Sequence, residues 1–300
     1  MLMRGVIMDN GVADILKIAV AEDLGVVGDI TSQALFGDSD HGEALIRSKR
    51  SGVLSGATLI TPLFELVDSH LSTLTSSPPA SPTKTEVYCH DGDALEPGKV
   101  ICRITGPVRS ILSGERSILN LLQHLSGIAT ITAKMAETLK GTPVRLLDTR
   151  KTNPGLRALE KAAVRHGGGV NHRAGLYDMV LIKDTHVKRA GGVKQALARA
   201  FAWRGGKDTP QIEIEVQTVE EFLEALPLGP DRIMLDNMNA QEIETCVEAR
   251  NASGLKTELE ASGGISLFTL PDIAATGVDF ISSGAITHSA PALDIHLVMV

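Results

Sequence analysis

Aromatic side chains make up only 3% of the 300 residues, with a single Trp. Proteins that grip single-stranded nucleic acid by base stacking need such rings, so their scarcity argues against that class. Basic residues are also in the minority: 29 Lys and Arg stand against 36 Asp and Glu, a formal charge of −7. A binder of nucleic-acid backbone normally carries a basic footprint, so nucleic acid is not an expected partner. The 3 cysteines, Cys89, Cys102 and Cys246, form no CxxC pair. That excludes a disulfide framework and a cysteine zinc site, and fits reduced thiols in a cytoplasmic protein. No apolar run is long enough to span a bilayer, and the opening MLMRGVIMDNG is too short and interrupted for a secretory signal, so no membrane association is expected. HExxH, GxSxG and P-loop patterns are absent as well, which removes the usual zinc-protease, serine-hydrolase and P-loop NTPase readings.

What is present is a 43% hydrophobic chain, long enough for one large barrel or two ordinary domains. Its first half mixes element types. Residues 11–24 carry helix-spaced apolar positions. Strand-like pieces in 43–56 are broken by Gly52 and Gly56. SSPPASPT (76–83) is a Pro/Ser loop, and 85–107 reads as strand, turn, strand. This predicts a small α+β domain with an antiparallel sheet. A long helical stretch follows Ser110, and the domain boundary is expected inside it, giving domains of 1–118 and 119–289.

The second half alternates. Apolar strands are expected at 144–148, 178–183, 211–216, 231–236, 257–262 and 278–283, with helices at 156–165, 193–201, 219–226, 240–250 and 267–275. Repeated β-α units with apolar strands predict a parallel sheet covered by helices, and a complete or partial α/β barrel in this length.

Polar residues gather where these strands end. Asp148 and Arg150 end the first strand and Lys183 the second. Glu213 and Glu215 share one face of the third. Asp236 ends the fourth, Glu260 and Ser262-Gly263-Gly264 the fifth, and Ser283-Gly284 the sixth, just before His288. In such barrels the C-terminal strand ends converge on the active face. Arg150, His172, Arg173 and Lys183 together suit a ligand with more than one carboxylate, because Arg offers a planar fork and Lys a point charge. Glu215 and Asp236 supply hard oxygens suited to Mg²⁺ beside a diphosphate, or else are ion-pair partners for Lys151 and Lys183. The two late glycine turns suit phosphate, or are simply turns.

The run DTRKTNPGLRALEKAAVRHGGGVNHRAGLYDMVLIKDTH, with ERSILNLLQHLSGIAT before it and IEIEV, IMLDNM, LEASGGI and SGAITHSAPALDI after it, resembles the quinolinate phosphoribosyltransferases, also called nicotinate-nucleotide pyrophosphorylases (carboxylating). The likeness runs from about Gly114 to Ile295, and EDLGVVGDITS extends it into the first half. The resemblance implies a partial barrel of seven strands, one more than the spacing shows. It also implies an N-terminal open-faced α+β sandwich joined by the tail 290–300. It implies transfer of phosphoribose from phosphoribosyl pyrophosphate to quinolinate with loss of CO₂, in NAD biosynthesis, with Mg²⁺. By the matching motifs, Arg116, Arg150, His172, Arg173 and Lys183 face quinolinate, with Arg116 donated across a homodimer or a larger dimer-based assembly. Lys151, Glu215 and Asp236 serve phosphoribosyl pyrophosphate and catalysis. Glu215 and Asp236 hold the metal, directly or indirectly. Ser262, Gly263, Gly264, Ser283, Gly284 and His288 line the phosphate end. Thr185 and Asn153 depart from the familial pattern. Competing readings are a paralogue linked to molybdenum transport, a Schiff-base aldolase using Lys183 and a non-catalytic anion binder.

Overall fold

A computed structural model describes residues 10–75, 81–207 and 209–300. The opening residues and most of the Pro/Ser loop lie outside them. The chain divides into two compact units, Met1–Ile131 with Asn153–Gly167 and Ala290–Val300, and Thr132–Thr152 with Gly168–Ser289. The expected division lies after residue 118, with the tail 290–300 rejoining the first domain. The structure instead carries the first unit to residue 131 along one continuous helix, and adds residues 153–167 to it.

The first unit contains helices α1 (Asn10–Leu24), α2 (Ile30–Leu35), α3 (Ile60–Thr75), most of α4 (Val108–Thr138) and α5 (Arg157–His166). Strands β1 (His41–Ser48), β3 (Lys84–Val87), β5 (Val100–Pro107) and β12 (Ile295–Met299) form an antiparallel sheet in the order β12-β1-β5-β3. The short β2 (Gly52–Val53) and β4 (Ala94–Leu95) pair separately. Ala44 lies opposite Ile104, and Ile46 opposite Cys102, all four fully buried, so strand alternation puts one face of the sheet in the core. Helix α3 has no counterpart in the sequence reading. Its buried Ile60, Leu63, Phe64 and Val67 keep helical spacing, and Pro62 sits in the first turn, where a missing N–H is tolerated.

Gly127 of α4 shows why the tail 290–300 belongs to this unit. A Cβ there would lie 2.2 Å from the carbonyl oxygen of Pro291. Nearby, Leu293 N–H donates to Gln123 O (2.9 Å) and the Gln123 side chain donates to Ile295 O (2.6 Å). In an ordinary helix interior Gly→Ala stabilises by about 1 kcal/mol. Here the methyl meets backbone, so Gly127→Ala should destabilise by about 2–3 kcal/mol. Thermal unfolding followed by circular dichroism should give a Tm about 5–10 °C lower; a Tm at or above wild type would contradict this packing.

The second unit holds β6 (Arg145–Leu147), β7 (Val180–Ile182), β8 (Ile212–Val216), β9 (Arg232–Asp236), β10 (Glu258–Ser262) and β11 (Phe280–Ser282), all parallel, in the order β6-β11-β10-β9-β8-β7. Helices α6 (Asp184–Ala190), α7 (Val193–Arg204), α8 (Val219–Ala225), α9 (Ala240–Ser253), α10 (Leu270–Ala275) and α11 (Ala285–His288) follow the strands. This is the open, partial α/β barrel expected. Its six strands match the count from spacing; the seventh implied by resemblance is reduced to a single parallel bridge, Leu147 to Val170. The chain leaves the ladder there because the next residues turn to Asp148: Asn171 Nδ2 donates to Asp148 Oδ2 (2.6 Å) and His172 N–H to Asp148 Oδ1 (2.8 Å). One face of the sheet is apolar, with Ile212, Ile214, Ile233, Leu235 and Leu259 fully buried. The alternate positions carry Glu213, Glu215, Arg232, Asp236, Glu258 and Glu260. The barrel interior is therefore its polar face.

Candidate active site

A cavity of about 710 Å³ opens at the C-terminal strand ends of the second unit. Of the strand-end residues singled out in the sequence, all but the fully buried Asp148 and Glu213 line it. Arg150 and Lys151 follow β6, His172 and Arg173 follow the bridge, and Lys183 follows β7. Glu215 lies on β8, Asp236 ends β9, Ser262, Gly263 and Gly264 end and follow β10, Ser283 and Gly284 follow β11, and His288 closes α11. Arg116 is not among them. It lies on α4 in the first unit, in a cleft of about 290 Å³ with Asp23 and Asp29. Neither residue that departs from the familial pattern lines the cavity: Thr185 is exposed on α6, and the Asn153 side chain donates to buried Glu160 (2.8 Å).

Like charges are grouped. Burial and the neighbouring Arg150 both lower the Arg173 pKa. The Arg173 guanidinium donates to Met179 O (3.3 Å), and its loop is pinned by Asp178, which accepts from the backbone of Ala174 (2.6 Å) and Gly175 (3.0 Å). The Nε of Arg150 is buried with no hydrogen-bond partner among the described residues. Across the cavity, burial and the charge of Asp236 raise the Glu215 pKa, against the pull of Lys183. Cations crowding cations and acids crowding acids, both half desolvated, are preorganised for ligands of the opposite sign.

The glycines are structural requirements as well as a lining. Gly263 has φ +94°, and a Cβ there would meet Asn237 Oδ1 at 2.2 Å. Asn237 itself sits at φ 58° and donates N–H to Ser262 O (2.8 Å). A Cβ at Gly284 would press on Lys151 Cδ (2.8 Å), while Thr287 Oγ1 donates to Lys151 O (2.8 Å). The Lys151 loop is thus clamped onto α11. Asn237, Leu181 and Met234 also line the cavity and were missed in the sequence. The apolar pair could have been found from strand parity, since Leu181 is two residues from Lys183 and Met234 two from Asp236.

Deeper in the barrel, the interior positions hold a buried charged layer. Glu213 and Glu260 are fully buried, and His172 Nε2 lies 3.0 Å from Glu213 Oε2 and 3.4 Å from Glu260 Oε2. Arg232 Nη1 pairs with the same Glu260 oxygen (3.2 Å), its Nη2 with Glu258 (2.9 Å), and its guanidinium stacks 3.8 Å over the Phe280 ring. Burial lowers the His172 pKa, but the two glutamates outweigh it and raise it to about 9. Against that, the Arg173 N–H donates to His172 Nδ1 at 2.7 Å. A protonated Nδ1 would set donor against donor at that distance, so the hydrogen bond decides and the ring is neutral with its proton on Nε2. The three side chains are close enough to cage a metal ion. The geometry opposes it, because Nε2 has no lone pair in this tautomer and Arg232 already compensates Glu260.

Residues 29–126 match the N-terminal domain and residues 128–298 the C-terminal domain of quinolinate phosphoribosyl transferase. The probable nicotinate-nucleotide pyrophosphorylase [carboxylating] of Bacillus subtilis is 42% identical over 276 residues, covering 92% of this chain and 89% of the relative. The mitochondrial quinolinate phosphoribosyltransferase [decarboxylating] 2b of Nicotiana tabacum is 38% identical, covering 95% of this chain and 81% of its own length. The solved nicotinate-nucleotide pyrophosphorylase of Francisella tularensis superposes with a TM-score of 0.84 at 36% identity, covering 97% of this chain and 96% of that one. The barrel-mouth arrangement of cations, paired acids and glycine turns, together with these matches across both domains, places the chain in the quinolinate phosphoribosyltransferase family.

Proposed function

We propose that this chain transfers the phosphoribosyl group of phosphoribosyl pyrophosphate to the ring nitrogen of quinolinate, releasing pyrophosphate and CO₂ and forming nicotinate mononucleotide for NAD biosynthesis. The observation that carries this reading is one cavity with a cationic wall at β6 and β7 and an acidic, glycine-turned wall at β8 to β11. Arg150, Arg173 and Lys183 hold the two carboxylates, with His172 beneath them. Lys151, Ser262, Gly263, Gly264, Ser283, Gly284 and His288 cradle the phosphates. Leu181 and Met234 offer apolar contact for the pyridine ring.

Glu215 and Asp236 face the ribose. Their crowded, half-desolvated carboxylates fit a hard divalent cation, which relieves their repulsion. A Mg²⁺ held by these two acids together with the diphosphate would neutralise charge on the leaving group. Pyrophosphate leaves with the C–O electron pair as the ring nitrogen bonds to the sugar carbon, and the two acids stabilise the positive charge that builds on the ribose. The arginines fix the nitrogen in line with that carbon. The pyridinium then takes up the electron pair released when the adjacent C–CO₂ bond breaks, and a proton replaces CO₂.

Arg116 serves a second copy of this chain, reaching its quinolinate pocket across a dimer. Three cysteines that form no disulfide, all buried, fit a cytoplasmic location. No described helix is long and apolar enough to cross a membrane. Incubation with quinolinate and phosphoribosyl pyrophosphate should release stoichiometric CO₂ and nicotinate mononucleotide. Absence of product would favour the molybdenum-linked paralogue, and borohydride trapping of Lys183 with a carbonyl substrate would favour the aldolase.

A further inference from the structure

The resemblance makes His172 a ligand of quinolinate, yet its ring nitrogens are turned elsewhere. Its side chain is only 5% exposed. Nδ1 accepts the Arg173 N–H at 2.7 Å. Nε2 faces the barrel interior, between Glu213 Oε2 at 3.0 Å and Glu260 Oε2 at 3.4 Å. Asp148 fixes the backbone from the other side through the His172 N–H at 2.8 Å. A neutral imidazole has one N–H and one lone pair. Here the lone pair is used by Arg173 and the N–H is drawn toward the acids, so neither is directed at a carboxylate in the cavity.

We infer that His172 is a positioning residue: the buried Glu213–Glu260 pair, braced by Arg232, holds its ring in the Nε2–H tautomer, and Nδ1 in turn fixes the backbone from which Arg173 reaches the dicarboxylate. The inference rests on the quinolinate reading of the cavity. Among the groups facing the ring are Glu213 from β8, Glu260 from β10, and Arg173 beside it in sequence; Arg232 from β9 acts through Glu260. Charged positions on three neighbouring strands thus bear on one loop residue. A buried carboxylate next to a buried carboxylate is costly unless something is gained. What is gained is orientation: a bidentate arginine loses much of its value when its fork is misaimed.

The two ring atoms can be separated by substitution. The Asn side chain reaches the position of Nδ1 and can still accept from the Arg173 N–H, whereas the Gln side chain reaches the position of Nε2 and leaves that N–H unpaired. His172→Gln should therefore raise the quinolinate KM about tenfold more than His172→Asn, the worth of one such hydrogen bond. The phosphoribosyl pyrophosphate KM should move less than about threefold in either, because Arg173 lies on the cationic wall. A direct Nε2 contact with substrate predicts the reverse order, and that order would overturn the inference.

Nitrogen-15 spectra of the free, full-length protein give a second readout that needs neither substrate nor turnover. At neutral pH His172 should show a lone-pair nitrogen at Nδ1 and an N–H at Nε2. Glu213→Gln should loosen the ring from the orientation in which Nδ1 meets the Arg173 N–H, and so release it to a mixture of tautomers. An imidazolium or an Nδ1–H form in the wild type sinks the proposal, and a single unchanged tautomer in Glu213→Gln removes the acid pair from it. Wild-type protein that forms no nicotinate mononucleotide would instead count against the substrate reading, leaving the spectra to decide the role of His172.

Discussion

Arg173→Ala should raise the quinolinate KM by about 30-fold to over 1,000-fold, the range expected when one partner of a desolvated, hydrogen-bonded charge pair is removed (about 2–5 kcal/mol). The side chain is half-buried, and both burial and Arg150 disfavour its charge in the absence of an anion. That cost is already built into the folded protein, so a carboxylate arriving between the two arginines recovers it. Deleting the guanidinium also leaves Met179 O without its 3.3 Å donor. Lys183→Ala should act in the same direction on the neighbouring strand end. Arg173→Lys should recover little, because a point charge cannot engage both oxygens of a carboxylate in plane. The measurement is the quinolinate KM at saturating phosphoribosyl pyrophosphate. Values within about threefold of wild type for both alanine variants would remove the cationic wall from substrate binding.

Asp236→Asn should lower kcat by about 100- to 1,000-fold, the loss found when one preorganised charge is taken from a transition state. The amide keeps the shape of the side chain, so packing around β9 is preserved and the loss reports charge. The same variant carries a pH signature. Burial, together with the charge of Asp236, holds the Glu215 pKa above its usual value. In the metal-free wild type, followed by carbon-13 NMR of the glutamate carboxylates, Glu215 should therefore take up its proton at a pH above the ordinary carboxylate range. With Asp236 neutralised, the anionic form of Glu215 is easier to keep, and its titration should move to lower pH. A titration that stays in place or moves upward would mean that the two carboxylates do not act on one another.

The β-α rhythm of the second half was legible because it is local. Strands such as IEIEV and RIMLD bury alternate apolar residues under helices, and the strand ends follow from where those runs stop. The cavity residues were legible for the same reason: parallel strands bring their C-terminal ends together whatever the loops do. Helix α3 was not legible, since Pro62 near its start reads as a break until the first turn is seen to need no N–H there. The position at which α4 is divided was likewise hidden, because nothing within a continuous helix marks where its packing changes.

Charge, spacing and motif order in the chain were enough to specify a partial barrel whose mouth holds arginines and lysines against acids and glycine turns. They could not specify how His172 is used. Its ring is governed by Glu213 and Glu260, 41 and 88 positions further along the chain, and by a backbone N–H one residue away. Periodicity records which face a side chain takes. Which of two ring nitrogens carries the proton depends on donors and acceptors that only folding brings within about 3 Å. The same holds for Gly127 and Gly263, whose need for hydrogen in place of a methyl arises from Pro291 and Asn237, neighbours in space but not in sequence.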